Sequence, residues 1–370
     1  MKSWGNERMW KVIGIIFHQR KIALLRKGLE PYEYLPFYTR LARHYGCDLF
    51  FYSWQELLLD RSLKQGYYYN WQKARWQYGA IPVPKVNLFR AKLPSRQERA
   101  RQFLPYHQAS DVQFLNLPWE MNKATISKVL AANPRLQPYL PWTQPLTLTN
   151  LQTGLNQYGQ ILVKPIFGSK GSGIRLIEQR GQGVWQADHM RSKGRIAPTL
   201  RWSIIGELTD WISSIGRPER FLIQQFLPLT RYAGSPLDLR ISVQKGREET
   251  WAITGKVLRV AAAQDFVTNV ARGGKVLSFS AIASRLTSEQ IEQLEWLSYE
   301  VAQTIADWSP GVMDLGLDLA LDEEGKLWFI EANFCDQRYA YREVGDITTW
   351  YTTYAYPIGY AYSKLEAYIK

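Results

Sequence analysis

Two apolar runs near the end of the chain, Gly316-Leu-Asp-Leu-Ala-Leu321 and Leu327-Trp-Phe-Ile-Glu-Ala-Asn-Phe334, are joined by an Asp-Glu-Glu-Gly turn. Short apolar runs flanking a turn signal predict a hairpin of paired strands. Side chains two apart on a strand share a face, so Glu331 and Asn333 point one way while Ile330 and Ala332 point into the core. With Asp318 on the partner strand, the hairpin offers three oxygen ligands. Hard oxygen donors of this kind hold Mg²⁺ together with phosphate oxygens and water. The bland alternative is a hairpin that ends in polar residues, since Glu-x-Asn is a short pattern.

The remainder of the chain decides between these. Its 370 residues suffice for two or three domains. Residues 11–60 read strand, helix, strand, helix, as Lys11–Phe17, Tyr34–Tyr45, Asp48–Tyr52 and Trp54–Asp60, the pattern of an α/β unit. The run Val12–Phe17 is too short for a membrane span and lacks a small-residue cleavage site, so it reads as a first strand. Two cysteines, Cys47 and Cys335, sit in no metal or disulfide spacing, which reads as a reducing, cytoplasmic setting. From Arg61 to Arg101 ten Lys/Arg accompany a single acidic residue, Glu98, and are interleaved with Tyr67, Tyr68, Tyr69, Trp71, Trp76 and Tyr78. Basic residues mixed with aromatics can grip single-stranded nucleic acid. Without a recognisable nucleic-acid module, a solvated basic face over aromatic packing is the better reading.

Further on, Asn122–Ala132 and Leu151–Tyr158 read as helices, and Ile161–Pro165 and Phe221–Leu227 as strands. A loop over Arg231–Pro236 comes next, then strands at Asp238–Gln244 and Trp251–Val260, a helix at Ser288–Trp308 and an aromatic helix from about Asp346. Between Ile161 and Ile177 lies a strand, a loop Gly168-Ser169-Lys170-Gly171-Ser172-Gly173, and a second strand. Glycines let backbone N–H groups approach phosphate oxygens, and Lys164 on the first strand adds a point charge. It is not a Walker A loop, because Ile174-Arg175 follows Gly173 where Lys-Ser/Thr is needed. Protein kinases also carry a glycine loop between strands, but no His-Arg-Asp triplet occurs here. Asp238-Leu-Arg240 puts two charges on one strand face, and Asn269-Val-Ala-Arg272-Gly-Gly adds an amide and another arginine. Arginines so placed can stabilise a transferring phosphoryl group.

This order of lysine, lysine with glycine loop, hydrophobic hinge, Asp-x-Arg, Asn-x-x-Arg-Gly-Gly and Asp…Glu-x-Asn resembles the ATP-grasp superfamily over about residues 115–345. Asp238–Lys245, Trp251–Gly255, Val267–Gly274 and Gly316–Leu319 are similar to blocks of the YheC/YheD-type proteins of endospore-forming bacteria. The resemblance implies an α/β (α+β) ATP-grasp fold, with an N-terminal α/β domain over 1–115, a lid-bearing subdomain over 116–227 and a Mg²⁺-binding subdomain over 228–370. It further implies that Lys123 and Lys164 hold the α- and β-phosphates under the Gly168–Gly173 loop. The hinge Gln224-Gln225-Phe226-Leu227 would take the adenine, largely by backbone groups. Arg240 and Arg272, assisted by Asn269, would face the γ-phosphate, and Asp318, Glu331 and Asn333 would carry Mg²⁺ or Mn²⁺. The N-terminal third departs from the pattern, with Pro84-Lys-Val-Asn-Leu-Phe-Arg90 in place of a Pro-Asp-Val strand edge.

What the resemblance implies in chemistry is an ATP-dependent carboxylate–amine ligase working through an acyl phosphate, with its acid and amine unnamed. A net charge of +13 favours acidic partners. Competing readings are a nucleotide-binding assembly protein of the spore coat without turnover, a nucleic-acid binder using residues 61–101, and a small-molecule kinase.

Overall fold

The computed structural model describes residues 11–27, 29, 33–59, 62–91, 111–117, 121–168, 173–179, 185–189, 200–202, 205–263, 265, 268, 270, 273–334 and 336–369. Among them are three six-stranded sheets.

The first sheet holds β1 (Val12–Phe17), β2 (Asp48–Ser53), β3 (Leu63–Asn70), β4 (Arg75–Pro82), β5 (Val86–Phe89) and β6 (Gln113–Leu115) in the order β4-β3-β2-β1-β5-β6. β1 pairs in parallel with β2 and β5, and all six of its residues are buried. Such a continuous apolar run suits a parallel strand covered on both faces. On one face Ile13, Ile15 and Phe17 meet Tyr38 and Leu41 of the helix Leu35–Tyr45. On the other, Val12 and Ile16 meet Phe50, Trp54 and Leu57. The helix expected over Trp54–Asp60 is a single turn, Trp54–Leu57, and the basic, aromatic stretch after it folds into the β3–β4 hairpin. Tyr67, Trp71 and Trp76 pack against the first core, and Trp71 donates from Nε1 to Asp48 Oδ1 at 2.8 Å.

In the second sheet are β7 (Thr143–Pro145), β8 (Gln160–Pro165), β9 (Arg175–Gln179), β10 (Trp185–His189), β11 (Leu200–Trp202) and β12 (Phe221–Gln225), ordered β11-β10-β9-β8-β12-β7. Ile161, Val163 and Ile223 cover Leu151 and Leu155 of the helix Leu148–Tyr158 and Leu208 and Trp211 of the helix Ile205–Ser214. Strand alternation then puts Leu162, Lys164 and Gln224 on the opposite face.

β14 (Ser235–Lys245), β15 (Trp251–Val260), β16 (Lys275–Ser278), β17 (Asp314–Leu321) and β18 (Leu327–Asn333) form the main path of the third sheet, in the order β16-β15-β14-β17-β18, and its sixth strand pairs with β14 off this path. The expected loop at Arg231–Pro236 instead makes a tight hairpin from β13 (Arg231–Tyr232) into β14, with Ala233 and Gly234 at φ 49° and 82°. Leu237, Leu239, Ile241 and Val243 pack on Leu294, Leu297, Val301 and Ile305 of the helix Ser288–Trp308. Asp238, Arg240, Ser242 and Gln244, the alternate residues of β14, are also buried. Buried polar groups of this density require partners, and the neighbouring strands and loops supply them.

The C-terminal helix Ile347–Ile369 returns to the first sheet, where Trp350, Tyr354, Ile358 and Leu365 join the core of β1 and β5. Beneath it, charged groups from distant parts of the chain meet. Arg90 donates to Glu33 Oε1 from Nε (3.2 Å) and Nη2 (2.8 Å), and from Nη1 to Asp314 Oδ2 (2.8 Å). Arg338 Nη2 donates to the same Asp314 oxygen at 2.8 Å, and Gln244 Nε2 to Oδ1 at 2.7 Å. Asn116 accepts from the N–H groups of Met313 and Asp314 and donates to the Phe334 carbonyl at 2.6 Å, which ties β6 to the third sheet. No described helix is long and apolar enough to cross a membrane.

Candidate nucleotide site

Sheet register brings the charged residues of the third sheet together. Arg240 lies opposite Asp318, Asp318 opposite Glu331, and Asp238 opposite Arg259. An irregularity between Asp318 and Leu319 leaves β18 with one extra residue, so Asp318 pairs with Glu331 and Leu319 with Phe329. One inserted residue inverts the facing of the strand beyond it. Leu327 and Phe329 enter the core before the bulge, and Ala332 packs against it afterwards. Ile330, expected in the core, is the bulged residue and is half-buried outside that cluster. The bulge is what turns Glu331 and Asn333 towards Asp318.

Asp318 is nearly enclosed. Its Oδ1 accepts from Arg240 Nη1, and its Oδ2 lies 3.0 Å from Arg259 Nη2 and 3.5 Å from Asn333 Nδ2. Arg259 also donates from Nε to Asp238 Oδ1 at 2.7 Å, while Thr268 donates its hydroxyl to Asp238 Oδ2. Burial works against the charge on Arg259, but Asp238 and Asp318 outweigh it and hold the guanidinium firmly protonated. Arg259 is a site residue that sequence reasoning missed. Its signal was a lone arginine closing an apolar strand, and only the β14–β15 register reveals its partner.

Two lysines approach this group, Lys164 from the second sheet and Lys123 from a helix packed into the third sheet's core. The helix Lys123–Ala131 is capped by Asn122, whose side chain accepts from the N–H groups of Ala124 and Thr125 at 3.0 Å each. Lys123 bridges the two halves, with Nζ 3.3 Å from Glu331 Oε1 and donating to the Gly168 carbonyl at 3.2 Å. Lys164 on β8 is buried and donates to Gln224 Oε1 at 2.6 Å, and Gln224 in turn donates to Thr143 at 3.0 Å. Burial, with a smaller contribution from Lys123, pushes Lys164 down to about 8 although Glu331 opposes the shift. Phosphate oxygens favour a charged lysine, so a polyphosphate held at Lys164 would take up a proton there above that pH. Nucleotide affinity is expected to fall by up to about tenfold per pH unit beyond roughly pH 8. Titration with ATP at several pH values checks this, and Lys164→Met should remove the pH step.

Gly173 adopts φ +77°, and a Cβ there would press on Pro165, so the position closing the loop favours glycine. Ser169, Lys170, Gly171 and Ser172 of the loop, and Asn269 and Arg272, lie outside the described residues. At the hinge the N–H groups of Gln225 and Phe226 are spent within the sheet, on the carbonyls of Trp142 (2.9 Å) and Gln160 (3.4 Å). Next to them a cavity of about 630 Å³ is lined by Gln160, Phe226, Leu227, Pro236 and Asp265 among others.

No three His, Cys, Asp or Glu side chains cluster at metal-binding distance among the described residues. A cation here would therefore rest on two carboxylates, an amide and oxygens from outside the chain. That donor set fits Mg²⁺ or Mn²⁺, which keep water and phosphate ligands. In the structure Asn333 turns its nitrogen to Asp318, so giving its oxygen to a cation requires the amide to turn over.

Gly316 passes under this group, where an added Cβ would overlap Asp336 Oδ1 and come within 3.3 Å of Arg240 Cζ. Gly316→Ala is expected to cost about 1–3 kcal/mol of stability, as for other overpacked interiors. Chemical denaturation measures it; an unchanged midpoint would show that the carboxylate has room to move.

A family model described as YheC/D-like ATP-grasp matches residues 111–363. Two curated relatives come from Bacillus subtilis (strain 168). Endospore coat-associated protein YheD is 24% identical over 268 residues, covering 70% of this chain and 58% of that protein. Endospore coat-associated protein YheC is 21% identical over 217 residues, 57% of this chain and 59% of that protein. The chain thus spans less than two thirds of either relative's length. Among solved structures, D-cycloserine synthetase DcsG superposes with a TM-score of 0.54 at 10% identity, covering 94% of this chain and 99% of that one. The D-alanine-D-alanine ligase from Coxiella burnetii gives 0.52 at 10% identity, covering 96% of each chain. These likenesses are of fold and agree with the three-sheet architecture. The chain belongs to the YheC/D-like ATP-grasp family.

Proposed function

We propose that the protein is an ATP- and Mg²⁺-dependent carboxylate–amine ligase. The observation that carries this reading is the gathering of Lys123 and Lys164 beside Glu331, on the hairpin whose Asp318 pairs with Arg240 and Arg259. In this reading the cavity beside Phe226 and Leu227 takes the nucleoside end. Lys164 and Lys123 hold the phosphates beneath the 168–173 loop. Asp318, Glu331 and Asn333 hold the divalent cation, which neutralises phosphate charge when bound. A substrate carboxylate oxygen attacks the γ-phosphorus, the bond to the β-phosphate oxygen breaks and ADP leaves. An amine then attacks the acyl carbon, loses a proton and displaces inorganic phosphate. Arg240 and Arg259, with Arg272 and Asn269, stabilise negative charge at the transferring group, and the loop keeps water from the acyl phosphate.

YheD and YheC are named as endospore coat-associated, which supports a substrate in spore coat formation. The net charge of +13 favours an acidic one. The test is release of ADP and phosphate against a panel of acids and amines. Turnover should require both, and ATP binding with no turnover across acidic peptides and amino acids would count against a ligase. A second reading, a nucleotide-binding assembly protein without turnover, has one observation behind it. Asp318 and Glu331 already have cationic partners within the chain. The same assay separates the two.

A further inference from the structure

Arg240 stands between two carboxylates. Its Nη1 donates to Asp318, while its Nε lies 3.4 Å from Asp336 Oδ1. Asp336 is fully buried in the loop after β18, and Oδ1 accepts no hydrogen bond among the described residues. Everything else about Asp336 is fixed. Its Oδ2 accepts from the Ser242 hydroxyl, which also meets the Tyr341 hydroxyl at 2.7 Å, and its carbonyl accepts from Arg90 Nη2 at 2.7 Å. Gly316 leaves open the space between this carboxylate and the guanidinium. A buried acceptor kept unfilled costs free energy, and such an exception calls for a reason.

The reason lies in Asp318. A carboxylate bound to a divalent cation cannot keep a guanidinium on the same oxygen without repulsion. Arg240 then needs another anion, and Asp336 Oδ1 is the buried one within reach. We propose that Asp336 is a positioning residue for Arg240, receiving its guanidinium when Asp318 turns to a divalent cation. Asp336 thereby makes the cation easier to bind and leaves Arg240 aimed at the site. This rests on the reading of Asp318 as a cation ligand.

The test uses the full chain, ATP and Mn²⁺, with bound Mn²⁺ read by electron paramagnetic resonance. Asp336→Asn should weaken Mn²⁺ binding by about tenfold, the scale of one charge-assisted contact. In an Arg240→Gln background, where Asp318 has no guanidinium from that position to release, the same substitution should have no further effect. Equal losses in both backgrounds, or no loss from Asp336→Asn alone, would overturn the proposal. If Asp336→Asn does not fold, Ser242→Ala, which removes the hydroxyl anchoring the carboxylate, takes its place in the cycle with the same expected pattern. Asp318→Asn separates the two levels. Unchanged Mn²⁺ affinity in that variant sinks the site reading itself, whereas loss there with none in Asp336→Asn sinks only the role of Asp336.

Discussion

Asp318→Ala is expected to weaken Mg²⁺-dependent ATP binding by roughly a thousandfold, about 4 kcal/mol, while the protein stays folded. The loss is large because a cation held by two carboxylates and an amide has few ligands to spare. Folding survives because neither arginine is stranded. Arg259 keeps its bidentate partner Asp238, and Arg240 keeps Asp336 3.4 Å from its Nε. The stability cost should therefore stay within about 1–3 kcal/mol, that of one lost hydrogen-bonded partner. ATP titration with and without Mg²⁺, alongside a thermal melt, reads both effects. Wild-type Mg²⁺ dependence in a folded Asp318→Ala protein would remove this residue from the cation site. Glu331→Ala should take the same course with a smaller stability change, because Glu331 is about one-third exposed and its ion-pair partner among the described residues is Lys123.

Much of this site was legible because strand alternation is a local signal. Trp251–Val260 and Ser288–Trp308 have the bounds that their apolar patterns predict, and Asp238, Arg240 and Asp318 fall where a period of two puts them. What escaped was non-local. The bulge at Ile330 has no signature in its own sequence and is set by pairing with β17, so the phase of the hairpin was misjudged at that one residue. Arg259 looked like a single charge at the end of a strand because its partner Asp238 lies on another strand. The β3–β4 hairpin was hidden among basic residues, since Tyr, Gln and Gly at alternate positions give no apolar contrast. Arg90 reads as one more cation in a basic run. Only the fold brings it to Asp314, which is 224 residues away.

That cluster supports the second large effect. Arg90→Met should destabilise the protein by about 3–5 kcal/mol, because removing one member of a buried ion network leaves the others as uncompensated charges. Glu33 and Asp314 are the ones left, both essentially inaccessible to water. Arg338 reaches Asp314 at 2.8 Å, whereas Glu33 is left with the half-buried Lys21 at 3.5 Å and Arg338 at 3.8 Å, so Glu33 bears most of the loss. Acid should reproduce the effect in the unmodified chain. Burial alone would raise Glu33, but Arg90, with Lys21 and Arg338, outweighs it and holds the carboxyl at about 2 against an ordinary value of 4.5. A carboxylate with a depressed folded-state value gives stability that is present above its unfolded value and lost as pH falls towards the folded one. Denaturation midpoints should therefore decline from about pH 5 down to about pH 2 in the parent. In Arg90→Met the same window should be flatter, because Glu33 loses the strongest of the cations that hold its carboxyl down. Equal acid slopes in the two proteins would mean that Arg90 does not hold Glu33 charged. The first sheet and the loop carrying Asp336 would then be joined through the bonds of Arg90 to Asp314 and to the Asp336 carbonyl, not through Glu33.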